Sequence, residues 1–166
     1  MASLVEPILH ELREEAPATR RVLEKIPSDK LLWKPHSKSR PLGELAMHVA
    51  NIPGLAERIV KFDEFTLSNV PPPAPTSAEE IRATFEKNIR IAEELLKTMT
   101  DDAAQGSFRF IFKGKELFKK PRAAVLRTNL LNHMYHHRGQ LSVYLRLLDI
   151  SVPVVYGPTA DENPFA

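Results

Sequence analysis

The sequence contains no cysteine, only six glycines and one tryptophan among 166 residues. The missing thiols exclude a disulfide framework, a thiolate metal ligand and a cysteine nucleophile from the protein itself. Any metal must therefore sit on nitrogen and oxygen. A strong charge of one sign is missing too: 23 Lys and Arg against 21 Asp and Glu leave +2. The two signs interleave along helical surfaces instead of forming a basic stripe, so nucleic acid is not indicated as a partner. One locally basic stretch, "FKGKELFKKPRAAVLR", reads as a solvated loop and helix start. No window approaches the roughly 20 apolar residues that span a bilayer. The opening "MASLVEPILHELREEAP" carries glutamates and lacks a basic region followed by an apolar run. That pattern predicts no signal peptide, no membrane partner and a cytoplasmic location.

What is present is helical patterning. A chain of this length is read as one domain, residues 1–166, able to bury about two-thirds of the surface its unfolded form exposes. Leu4, Ile8, Leu12, Thr19, Leu23 and Ile26 recur at helical spacing, with Pro17 as a kink inside the first helix. In the second, "SRPLGELAMHVANIPGLAERIV", the apolar row runs Leu45, His48, Ile52, Leu55, Ile59, and Pro53-Gly54 predicts a bend. The linker "NVPPPAPT" cannot be helical and leads to Ser77 and Glu80, a capping box before the row Ile81, Phe85, Ile89, Ala92, Leu96 and Met99. "FRFIFKGKELF" suits a short hairpin or an irregular crossover, and the crossover is favoured. A fourth helix starts near Pro121 and ends near Asp149, followed by an extended tail. The predicted fold class is an all-α four-helix bundle with long crossover connections.

The fourth helix raises the functional question. In "LLNHMYHHRGQLSVYLRLL", at about 100° per residue, His133 and His137 point where Leu126, Leu130, Met134, Leu141, Tyr144 and Leu148 point, whereas His136 falls outside that stripe. His48 occupies the equivalent inward position on the second helix. Two explanations stand for three inward rings. Each could satisfy a ring nitrogen on a carbonyl or hydroxyl, since an unpartnered one costs roughly 1–3 kcal/mol. Alternatively, facing helices could bring them together on one cation, for which the i, i+4 pair His133 and His137 is suitably spaced. His10 and His36 lack inward company and read as surface residues, and Trp33 reads as a core plug.

The segments "ATRRVLEKIPSDKLLWKPHSKSRPLGELAMHVANIPG" and "LLNHMYHHRGQLSVYLRLLDISVPVVYGPTADE" together resemble the DinB family of the DinB/YfiT-like superfamily. The run H-x-x-x-H-R-G-Q-L-x-x-Y-L-R with its following V-P-x-x-Y-G-P is the most specific part. The resemblance implies a four-helix bundle holding a divalent metal on His48, His133 and His137. Zinc or nickel suits imidazole best, with iron and manganese as alternatives. It implies no link with the DNA polymerase that shares the name. Three nitrogen ligands leave coordination positions open, as catalytic sites do.

No residue identifies itself as catalytic. His133 lacks the adjacent glutamate that a zincin places beside its first histidine, so hydrolysis has no evident protein base. Family relatives resemble thiol S-transferases using bacillithiol, mycothiol or glutathione, where the substrate brings its own nucleophile. The expected function is therefore a small-molecule, thiol-dependent S-transferase, with a metal-dependent hydrolase and a non-catalytic, metal-binding stress-response bundle as alternatives. His136, Arg138, Gln140 and Tyr144 are candidates for contacting ligands or substrate, and Gly139 for a close approach of another segment. Family resemblance and the phenylalanines Phe108, Phe110, Phe112, Phe118 and Phe165 predict a homodimer.

Overall fold

The computed structural model describes residues 3–67 and 73–165. Residues 69–72, the first half of the proline-rich linker, lie outside the described residues. Helix α1, Glu6–Glu24, begins where the Ser3 hydroxyl accepts from the Val5 and Glu6 N–H groups, and it continues through Pro17. It buries Ile8, Leu12, Thr19 and Leu23, the row expected from their spacing. Helix α2, Leu42–Asn51, gives way to a tighter 3₁₀ turn at Ile52–Gly54 and resumes as α3, Leu55–Lys61. Pro53 cannot continue an α-helical ladder. At this break Asn88 Nδ2 donates to the Ala50 carbonyl at 2.9 Å, which keeps that acceptor satisfied.

Helix α4, Ala78–Thr98, is capped by Ser77, whose hydroxyl accepts from Glu80 N–H at 3.1 Å. Glu80 reaches back one residue further than a reciprocal box would, accepting from Thr76 N–H at 2.8 Å and Thr76 O–H at 2.9 Å. A short α5, Asp101–Gln105, follows. The last rod is composite: α6, Arg122–Val125, a π-helical segment Leu126–Asn132, and α7, His133–Leu147. Helix α1 packs against α4 and α7, and α2 against the same two. Their apolar faces form a core containing Leu12, Leu45, Phe85, Leu130 and Leu141.

The all-α expectation is corrected by a small sheet: the protein is mostly helical with three strands, β1 Glu64–Leu67, β2 Ser107–Phe112 and β3 Lys115–Pro121. Strand β1 pairs parallel with β2 and β2 antiparallel with β3. "FRFIFKGKELF" is thus a hairpin, not an irregular crossover. Its two-residue turn places Lys113 at φ 49° and Gly114 at φ 75°, the left-handed pair whose twist matches adjoining antiparallel strands. The phenylalanines do not form the free apolar surface on which a dimer was expected. Phe108 is buried, and Phe110 packs against Phe65 and Phe118 with both ring centroids 5.3 Å away; Phe165 alone of the five is largely exposed.

The tail is not extended. It folds back through Asp161, which accepts from Val152 N–H and pairs with Arg146, and Glu162, which accepts from Val154 N–H and pairs with Arg21. No helix among the described residues is long and apolar enough to cross a membrane.

Candidate metal centre

The helical interior brings His48 of α2 beside His133 and His137 of α7. Ring centroids lie 4.9 Å apart for His48 and His133, 4.6 Å for His48 and His137, and 4.7 Å for His133 and His137. One ring nitrogen from each residue falls within 4.8 Å of the others. The three rings are half-buried, between the core and solvent.

The π-helical segment explains why they sit there and not in the core. A π turn closes on the fifth residue, so each residue advances its side chain by less than the roughly 100° of an α-helix. The phase carried from Leu130 at α-helical pitch is therefore displaced. The fully buried row of α7 is Met134, Arg138, Leu141 and Leu145, while His133, His137, Tyr144 and Leu148 lie half-buried on its flank. His136 is exposed; its ring stands edge-on to His137 at 4.8 Å and outside the cluster.

The wide turn also orients a ligand. His133 N–H reaches back to the Thr128 carbonyl, five residues away, and the Asn129 carbonyl is near enough to favour a proton on the His133 ring. His137 Nδ1 meets Gln140 Oε1 at 2.7 Å. An amide oxygen can only accept, so His137 Nδ1 carries the hydrogen and Nε2 is left with its lone pair. His48 and His133 face each other through their Nε2 atoms.

Burial, reinforced by the other two rings, pulls His48 down from the ordinary value of 6.5 to about 3. Burial likewise lowers His133 and His137, opposed at each by one hydrogen bond, from Asn129 and Gln140 respectively. All three are neutral near pH 7, the state in which imidazole binds a cation. Among the described residues the potential metal ligands gathered here are the three histidines alone, and the positive charge of Arg40 helps to lower each ring.

The remaining candidates divide. Gln140 touches His137 directly. Tyr144 does not; its hydroxyl donates to the Arg40 carbonyl at 3.3 Å and its ring stands edge-on to Trp33 at 5.8 Å. Arg138 faces the core and α1 instead. Only 2% exposed, it donates to Thr19 Oγ1 and the Glu15 carbonyl, pairs with the Glu15 carboxylate at 2.7 Å and reaches the Tyr156 hydroxyl at 2.6 Å. Gly139 makes no close approach, since a Cβ there would meet nothing within 4 Å. His10 and His36 are exposed. Sequence inspection missed Arg40 and Asn129. For Asn129 the signal was its position four residues before His133; for Arg40 it was a loop, residues 33–41, with three cationic side chains and no acidic one.

Comparison with known proteins bears on the family and the fold. The chain is 30% identical over 149 residues to the uncharacterized protein YrdA of Bacillus subtilis (strain 168), covering 89% of this chain and 85% of that one. Its fold is similar to the crystal structure of a DinB-like protein from Bacillus cereus ATCC 10987, at 27% identity and a TM-score of 0.71, covering 91% of this chain and 97% of the other. A second DinB-like crystal structure, from Bacillus subtilis, shares the fold at 19% identity and a TM-score of 0.69, covering 90% and 96%. The DinB family profile matches residues 1–163, and the chain belongs to that family.

Proposed function

We propose that His48, His133 and His137 hold one divalent transition metal within a four-helix bundle, and that this centre serves a thiol S-transferase acting on small molecules. The observation that carries the reading is the convergence of three neutral imidazoles, with a donor from each inside 4.8 Å. Nitrogen donors without a carboxylate favour zinc or nickel over magnesium or calcium. Three protein donors leave room in the coordination sphere for a substrate.

Among the described residues no acidic side chain joins the cluster, and this separates the chemical alternatives. Activation of water by the protein would need an acceptor for the proton, and the histidines are occupied as donors to the cation. A thiol substrate has a lower demand, because a bound divalent cation favours its thiolate form. The chain's own part is then to fix the donor geometry: Gln140 orients the His137 ring, the Asn129 carbonyl favours a proton on the His133 ring, and the buried Met134 and Leu130 anchor the helical rod that carries both.

Elemental analysis of the purified protein should find about one divalent metal per chain. Loss of a low-molecular-weight thiol in the presence of an electrophile, dependent on that metal, would support transfer. Metal-dependent cleavage of activated esters without thiol consumption would favour a hydrolase. Metal binding that only raises the melting temperature would favour a non-catalytic role.

A further inference from the structure

The loop that leads into α2 is positively charged and fixed beside the histidine cluster. Residues 33–41, "WKPHSKSRP", carry Lys34, Lys38 and Arg40 and no acid. Backbone bonds hold both ends: Leu42 N–H donates to the Trp33 carbonyl at 2.8 Å and Gly43 N–H to the Leu31 carbonyl at 2.9 Å. Space at Gly43 is short, for a Cβ there would come within 3.0 Å of Leu31 Cβ. Tyr144 ties the Arg40 carbonyl to α7, the helix that carries two of the three histidines. Arg40 thus lies at the junction of the two histidine-bearing helices.

Its guanidinium is exposed and makes no ion pair among the described residues. Glu44, the first acid of α2, is also exposed and does not pair with it. Arg40 is nevertheless near enough for its charge to act on His48, His133 and His137 alike. A divalent cation on three neutral donors would add to that positive field, since the group of potential ligands found among the described residues holds no carboxylate. An anionic ligand would offset that charge. Arginine's planar fork matches a carboxylate through two parallel hydrogen bonds, and an electropositive loop raises the local concentration of anions.

We propose that Arg40 is the specificity residue of this site, pairing with a carboxylate that the small-molecule substrate carries in addition to its metal-seeking group. This inference rests on the metal-centred reading of the histidine cluster. The side chain acts on the substrate's anionic end and takes no part in proton transfer.

Cobalt-substituted protein titrated with 3-mercaptopropionate and with its methyl ester tests it, read through sulfur-to-cobalt absorption. The acid should bind about tenfold more tightly than the ester, and Arg40→Gln should abolish that preference by weakening the acid far more than the ester. Arg40→Lys should restore part of it. The backbone bond to Tyr144 survives all of these changes, so the fold is kept. Titration calorimetry with succinate supplies a readout free of thiol chemistry, in which Arg40→Gln should weaken binding about tenfold. An absent thiol band with Arg40-dependent succinate binding would overturn the thiol reading and leave this inference standing. Equal binding of acid and ester, or succinate binding that is undetectable or indifferent to Arg40→Gln, would overturn this inference whatever the thiols do.

Discussion

His48 Nε2 and His133 Nε2 stand 3.1 Å apart although 85 residues separate them in the chain. Zinc–nitrogen bonds of 2.0–2.1 Å place two tetrahedral ligands about 3.3 Å apart, so the observed edge needs almost no adjustment to take a cation. Two neutral imidazoles at this distance share at most one hydrogen between the facing nitrogens. A cation satisfies both lone pairs.

The helix phase makes His137 and its neighbour His136 separable by experiment. His48→Ala, His133→Ala and His137→Ala should each lose most of the bound metal, whereas His136→Ala should keep it, since that ring is exposed and lies outside the cluster. Metal content after gel filtration decides the matter. Equal loss from His136→Ala and His137→Ala would contradict the geometry described.

Gln140 should matter through His137 and not through a metal bond of its own. Removing the 2.7 Å contact to Nδ1 frees both the tautomer and the ring angle. Partners of this kind typically change metal affinity by about 10–100-fold. Gln140→Leu should weaken zinc binding by at least the lower figure in a competition assay while leaving the melting temperature of the metal-free protein nearly unchanged. A variant with wild-type affinity would show that the amide orients nothing.

The histidines were legible because imidazoles are conspicuous in leucine rows, and because the surrounding motif resembles a known family. Helix starts were legible for a similar local reason: Ser77 caps α4 with its own side chain. The sheet was not legible. Strand β1 is four residues long and pairs with residues some 45 positions later, as Glu64 does with Arg109. The hairpin turn was obscured by Lys113, a side chain uncommon at positive φ. Arg138 was misplaced at the site for two reasons. The π-helical segment shifted the phase of α7, and the partners that allow a guanidinium to be buried, Glu15 and Tyr156, come from α1 and the tail.

Those partners make Arg138 a structural test. Its guanidinium lies between the Tyr135 and Tyr156 rings at 5.3 and 5.1 Å, and it pairs with Glu15, so α7, α1 and the tail meet on one charge. Arg138→Ala should destabilise the protein by about 3 kcal/mol, because truncation leaves a cavity and a poorly solvated carboxylate. Denaturant unfolding measures the loss. Metal stoichiometry at neutral pH should stay that of the wild type; loss of metal without loss of stability would mean that Arg138 acts on the centre after all.

Acid should weaken the protein in a window set by the histidines. In the unfolded chain His48 takes up its proton near the ordinary value of 6.5, but in the folded chain only near 3. Between those limits the unfolded state binds more protons, so stability rises with pH across the window and falls as the solution is acidified. The slope is at most about 1.4 kcal/mol per pH unit for this one group. His133 and His137, also lowered, add in the same direction. Paired carboxylates such as Glu86 and Asp161 are held below their ordinary range by Arg20 and Arg146, so their contribution is lost in more acidic solution. The interval between about pH 5 and 6.5 therefore belongs mainly to the histidines. Metal-free protein should unfold at progressively lower urea concentration over that interval, and His48→Gln should flatten the dependence because glutamine has no proton to gain. Bound metal should steepen it, since protonation of any ligand in the unfolded chain competes with rebinding. A metal-free wild type whose urea midpoint is constant from pH 7 to 5 would show that the rings are not held neutral by burial.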